Sequence, residues 1–223
     1  MASSSLEVHL DPCTVNSRKV LAALALLNTP FTLKKVDYFA GEHKSPAYTA
    51  INPCATVPCA VVDNALVLTE SNAIIIYAGE ALAADNHPAY PRDPKLRADI
   101  NRWLFWETSV WFPSCYVYLI QNVVQPVLGN QPDASALRKE EPRWRELAGV
   151  LEQRLAKGDR RWLCGGEHPT VADLAVASSM HLWKRERFPI EGFPALRKWI
   201  GRVEGLECWV QTQGAVERAF PEK

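Results

Sequence analysis

The sequence has no excess charge of either sign: 25 Lys and Arg balance 25 Asp and Glu, interspersed along 223 residues. The basic stripe or run that marks a nucleic-acid binder is missing, so no nucleic-acid partner is expected. Long apolar runs are missing too. None reaches the ~18 residues of a membrane span, and no membrane partner is expected. The opening MASSSLEVHL lacks a leader's succession of basic, apolar and small residues. Six cysteines stand at 13, 54, 59, 115, 164 and 208, with no CxxC pair among them. Those spacings offer no metal set, so no metal is expected. A chain of this length can bury a core without disulfides, and a reducing cytoplasm is the expected location.

What is present divides the chain in two. Leu6 to Leu10 alternates as a strand, and Asp11 to Asn16 is a turn. Ser17 to Leu27 is periodic as a helix, stopped by Asn28-Thr29-Pro30, and Phe31 to Val36 is a second strand. A helix between two strands makes a βαβ unit, with parallel strands and a right-handed crossover. Residues 38–50 read as a loop with a short helix near Pro46 to Ala50. Residues 85–94, which carry three prolines, read as a linker. Beyond it the pattern is helical throughout. Leu96, Ile100, Trp103, Leu104, Glu107 and Trp111 form a stripe, and Pro113 is expected to kink or break that helix. Further helices are expected at about Cys115 to Val124, Ala134 to Ala156, Val171 to Trp183, Pro194 to Val203 and Leu206 to Gln213. Thr170 and Asp173 have capping-box spacing, with Asp replacing the usual Glu.

The stretch Asn52 to Tyr77 organises the first part. Cys59 to Val62 and Leu66 to Leu68 are short strands, joined through Asp63-Asn64, two residues suited to positive φ. Ser71 stands where a helix N-cap belongs, ahead of Ile74, Ile75 and Ala78. Taken alone, Glu70-Ser71 is no more than a cap and a favourably placed charge. A helix start can also hold a carboxylate, and the main chain of Val57 can pair with an extended peptide. A carboxylate site beside a peptide-pairing edge suggests a small peptide ligand.

Val57-Pro58, a hairpin, then Glu70-Ser71 at a helix start resembles the glutathione-binding half of the cytosolic glutathione transferases. GEHKSPAY at Gly41 to Tyr48 is similar to the segment upstream of that motif in the phi and related bacterial classes, and PTVADLAVAS at Pro169 to Ser178 looks like the family's buried capping motif. The resemblance implies a fold of α/β plus all-α type: a thioredoxin-like domain over residues 1–84, the linker 85–94, and an all-helical domain over 95–223. It implies glutathione as co-substrate, a small apolar electrophile as second substrate, and a homodimer. Glu70 and Ser71 would hold the γ-glutamyl group. A cis Val57–Pro58 bond would turn Val57 toward the ligand, Thr56 would touch it in part, and His43 and Lys44 would lie near the glycine carboxylate.

The turn Asp11 to Ser17 is expected to hold the chemistry, because a helix N-terminus favours an anion. By resemblance Thr14 falls on the catalytic serine or cysteine position. Asn16 falls where the TxN-type nu class and its fungal relatives carry an active-site Asn. The turn has no tyrosine. Cys13, one residue away, reads as a neighbour rather than a nucleophile, and Ser17 as the helix cap. Trp106, Val110 and Trp111 are the expected wall of the electrophile pocket, although aromatics at helical spacing are more often core. The implied activity is attack of the glutathione thiolate on a small electrophile. A disulfide reductase, peroxidase or dehalogenase, or a non-catalytic glutathione-binding module, are the alternatives.

Overall fold

The computed structural model describes residues 5–220. Strand β1 (Leu6–Leu10) buries Leu6, Val8 and Leu10 on one face, the alternation that its sequence dictates. Helix α1 (Val15–Leu26) crosses over to β2 (Thr32–Lys35), which pairs parallel with β1. A short α2 (Pro46–Thr49) follows. Then β3 (Cys59–Val62) pairs antiparallel with β1, and β4 (Leu66–Leu68) with β3, giving the order β2-β1-β3-β4. Asp63 and Asn64 take φ of 50° and 55°, as a two-residue hairpin of right-handed twist requires. Helix α3 (Ser71–Tyr77) closes this layer against α1.

The rest is helical: α4 (Pro94–Trp106), α5 (Phe112–Leu119), α6 (Gln125–Val127), α7 (Ala134–Ala156), α8 (Val171–Ser178), α9 (Trp183–Glu186), α10 (Pro194–Glu204) and α11 (Glu207–Ala219). The expected break at Pro113 does not occur. From α4 to α6 the chain is one helical rod, with π-type turns at Glu107–Trp111 and Ile120–Val124. Phe112 N–H donates to the Glu107 carbonyl and Gln125 N–H to that of Ile120, five residues back in each case. Pro113 and Pro126 each follow such a turn. The widened turn gives the ring room and leaves its missing N–H without a required partner. The apolar helix expected to reach Trp183 ends at Ser178, and a separate turn, α9, stops at Arg187 with φ 57°.

The α/β layer and the helices share a continuous core, running from Val8 and Leu24 through Trp103 to Trp144 and Trp199. Helix α1 is the joint, with α3 on one side and α8 and α11 on the other. The proline-rich connection is pinned rather than loose. Tyr90 is 1 % exposed, donates to Asn101 at 2.9 Å, and lies so close to Gly79 that a Cβ there would stand 2.7 Å from its ring. Only glycine fits at 79. No helix among the described residues is long and apolar enough to cross a membrane.

In the first turn of α8 sits Asp173, fully buried. One oxygen accepts from Thr170 N (2.9 Å) and Oγ1 (3.1 Å). The other accepts from Leu163 N and Trp199 Nε1, both at 2.9 Å. Capping-box spacing foretold the first contact. The second pair ties the helix to α10 and to the loop before it.

Candidate glutathione and electrophile site

The end of β1 and the start of α1 meet in the turn Asp11 to Thr14. Asp11 is buried, and its carboxylate organises the turn: Oδ1 accepts from Cys13 N (3.3 Å) and Oδ2 from Tyr38 N (3.1 Å). Thr14, not Ser17, occupies the N-cap position, with φ −79° and ψ 148°. Ser17 is buried in the first helical turn, its Oγ 2.7 Å from Thr14 Oγ1. Either hydroxyl can supply the hydrogen between them. When Ser17 donates, the Thr14 hydrogen can turn either to the Asp11 carbonyl, 3.2 Å away, or to a ligand. The Asn16 side chain makes no hydrogen bond among the described residues. Two side-chain donors therefore stand beside the open N–H groups of a twelve-residue helix, an arrangement suited to an anion.

This turn is the floor of a cavity of about 520 Å³. Thr14 and Asn16 line it together with Cys13 and Val15, and Thr56 and Val57 form one side. Two buried donors, Tyr48 Oη (2.6 Å) and Asn52 Nδ2 (2.8 Å), grip the Thr56 carbonyl and hold that loop. The Val57–Pro58 bond is cis, with Pro58 buried behind the wall.

The remaining sequence candidates lie off this cavity. Glu70 is exposed, at φ 67° and ψ 115°, a strained backbone for a non-glycine residue. It takes the N-cap position expected of Ser71, which becomes the first helical residue. Ser71 Oγ accepts from Lys19 Nζ at 3.1 Å. His43 is buried, stacked on Tyr38 with centroids 4.4 Å apart. It is 6 % exposed there, whereas Lys44 is exposed. The expected tryptophan wall stands apart from this cavity. Trp111 is fully buried in the core, donating to the Val176 carbonyl at 3.1 Å and stacked on Trp106. Neither Trp106, Val110 nor Trp111 lines the cavity. The wall comes from the neighbouring stripe of the same rod, Phe112, Tyr116, Leu119 and Ile120. Their i, i+4, i+7, i+8 spacing was readable, but the heavier tryptophan stripe marks the core. Tyr38, Phe39, His181 and Phe220 complete the lining, and Phe39 meets Phe220 edge-on at 6.0 Å. Tyr38 and Phe39 are adjacent, but nothing local in the sequence joins them to His181 or Phe220.

The chain matches the family models described as "Glutathione S-transferase, N-terminal domain" over residues 15–81 and "Glutathione S-transferase, C-terminal domain" over residues 116–207. It is 32 % identical over 201 residues to mouse glutathione S-transferase theta-1, covering 89 % of this chain and 82 % of that one. The chain belongs to the glutathione S-transferase family. It is also 31 % identical over 175 residues to glutathione S-transferase T2 of Arabidopsis thaliana, which covers 78 % of this chain; the chain spans 29 % of that longer protein. A theta class glutathione S-transferase from Xanthomonas axonopodis pv. citri, solved with glutathione bound, superposes with a TM-score of 0.78 at 26 % identity over 98 % of each chain. The α/β layer is thus the thioredoxin-like half of a transferase fold, and the helices are its second half.

Within that frame the cysteine beside Thr14 is informative. Cys13 Sγ lies 3.0 Å from Asp11 Oδ1. Burial first, and the Asp11 carboxylate second, push its thiol up to about 12. A thiolate is the reactive form of cysteine, and this environment suppresses it.

Proposed function

We propose that this chain is a glutathione transferase whose thiolate-holding groups are Thr14 and Asn16, and whose electrophiles are small and apolar. The observation that carries the reading is the cavity itself. It has a polar floor at the start of α1 and an apolar roof of Phe112, Leu119, Ile120, Val124 and Phe220. A thiolate at that floor meets the helix N-terminus and two donors. One hydrogen bond to a charged group is worth about 1.5–3 kcal/mol, or roughly one to two pKa units on the thiol. The thiolate then attacks the electrophilic carbon, the C–S bond forms and the leaving group departs. The roof would exclude water from the reacting atoms.

Within this reading, Glu70 and Ser71 hold the γ-glutamyl end, the Val57 main chain pairs with the cysteinyl unit, and Lys44 faces the glycine carboxylate. The two domains divide at residues 85–94, and the protein works as a cytoplasmic homodimer. Leu66, Val67 and Phe105, each more than two-fifths exposed, are apolar surface that a second copy would cover.

Retention on immobilised glutathione, followed by conjugation of an aryl halide, tests the reading. Turnover that S-hexylglutathione blocks is the expected result. Failure to bind glutathione at millimolar concentration would overturn it. A parallel hydroxyethyl disulfide assay separates conjugation from disulfide reduction.

A further inference from the structure

Beneath Ser71 lies a buried ion pair that the chemistry above does not use. Lys19, one turn beyond the Thr14 floor on α1, is 1 % exposed, and Glu107, in the first π-type turn of the helical rod, is fully buried. Lys19 Nζ stands 2.7 Å from Glu107 Oε2 and 3.1 Å from Ser71 Oγ. Glu107 is well anchored on its far side: Oε1 accepts from Ser179 Oγ at 2.9 Å, and Oε2 from Asn72 Nδ2 at 3.2 Å. A buried ion pair is weak evidence for stability, because an apolar pair of similar volume does as well or better. Its retention calls for another use, and the geometry supplies one. An ammonium can only donate, so Ser71 Oγ must accept from Lys19. The single hydroxyl hydrogen of Ser71 is then left for an acceptor on the opposite side. A cation behind that oxygen polarises the O–H and strengthens its bond to an anion. Glu107 fixes the ammonium from across the domain junction, so this donor is set only when the two halves are docked.

We infer that Lys19 is a positioning residue for the peptide's γ-glutamyl carboxylate, acting through the Ser71 hydroxyl and held by Glu107. The inference rests on the glutathione reading of Ser71.

The test compares glutathione with γ-aminobutyryl-cysteinylglycine, which lacks that carboxylate, in wild type, Lys19→Arg and the double variant Lys19→Met/Glu107→Gln. The double change removes both charges together and leaves no lone buried ion. Wild type should prefer glutathione by about tenfold or more in KM, the scale of one charge-assisted hydrogen bond. The double variant should lose most of that preference through a raised KM for glutathione, with kcat within about twofold. Lys19→Arg, which keeps charge and donors, should retain the preference, and it serves as the test should the double variant fail to fold. In a Ser71→Ala background, removing the pair should change KM by less than about twofold, because the intermediary is gone. If wild type does not distinguish the two peptides, the carboxylate reading of Ser71 falls, and the role of Lys19 with it. If wild type distinguishes them and the folded double variant does so equally well, only the role of Lys19 falls. A Lys19→Arg protein that folds but has lost the preference would also overturn it.

Discussion

Cys13 Sγ and Asp11 Oδ1 lie 3.0 Å apart at the floor of the cavity, and the thiol is the donor. The carboxylate that holds the turn Asp11 to Thr14 therefore also keeps its cysteine protonated. Cys13 should react with iodoacetamide far more slowly than a free cysteine at pH 8. The rate should still be rising at pH 10, since its thiol is pushed up to about 12. Cys13→Ser should retain conjugation. Loss of turnover, together with a glutathione mixed disulfide on Cys13 by mass spectrometry, would reassign the chemistry to a cysteine-type thiol transferase.

Thr14→Val and Asn16→Ala should each raise the pKa of bound glutathione by about one unit, the scale of one hydrogen bond to a charged sulfur. Thiolate absorbance against pH reads this directly. The double variant should lose most activity, and each single variant less, because the two donors share one sulfur. Unchanged titration in both single variants would leave the helix N-terminus as the sole stabiliser.

Asp173→Ala should lower stability by about 3 kcal/mol or more while glutathione affinity in the folded fraction stays near wild type. Four donors lose their acceptor at once, and unpaired buried donors cost about 1–3 kcal/mol each. An ordinary cap loss costs about 1 kcal/mol. Urea titration separates these outcomes. Trp199→Phe removes one donor and should cost correspondingly less.

His181 carries two ring nitrogens without partners among the described residues and is 5 % exposed overall. Burial first, then Arg18 and Arg185, pull its pKa down to about 3 from 6.5. Below pH 6.5 the unfolded chain takes up a proton that the folded chain refuses until about pH 3. The stability held above pH 6.5 is therefore lost as the pH falls through that window, at up to about 1.4 kcal/mol per unit. His181→Asn should flatten this slope in chemical denaturation at pH 7, 6 and 5. Glu186 is buried nearby without a side-chain hydrogen-bond partner, and burial pushes its carboxyl well up, so it acts in the opposite direction. It is present in both proteins and drops out of the difference. Parallel curves for wild type and variant would refute the assignment to His181.

Local pattern determined a good deal of this protein. Alternation from Leu6 to Leu10, the Asp63-Asn64 turn and the Thr170/Asp173 spacing each act within a few residues, where backbone preference and capping decide the conformation. The turn that forms the cavity floor was legible for the same reason, since a strand, a turn and a helix start follow one another directly, while Thr14 and Asn16 within it were singled out by the family resemblance. The cavity wall was not. Trp111 and Phe112 are neighbours in sequence, and only the packing of the rod against α8 decides which of them is core. The proline at 113 reads as a kink or break because its cost is local, while the π-type turn that absorbs it belongs to the packed rod. The buried partners of Ser71 follow the same rule. Its partner Lys19 is 52 residues away and Glu107 lies 88 residues beyond that lysine. Lysine and glutamate on separate helices carry no sequence sign of pairing, and only burial of both in one domain junction makes them a single electrostatic unit.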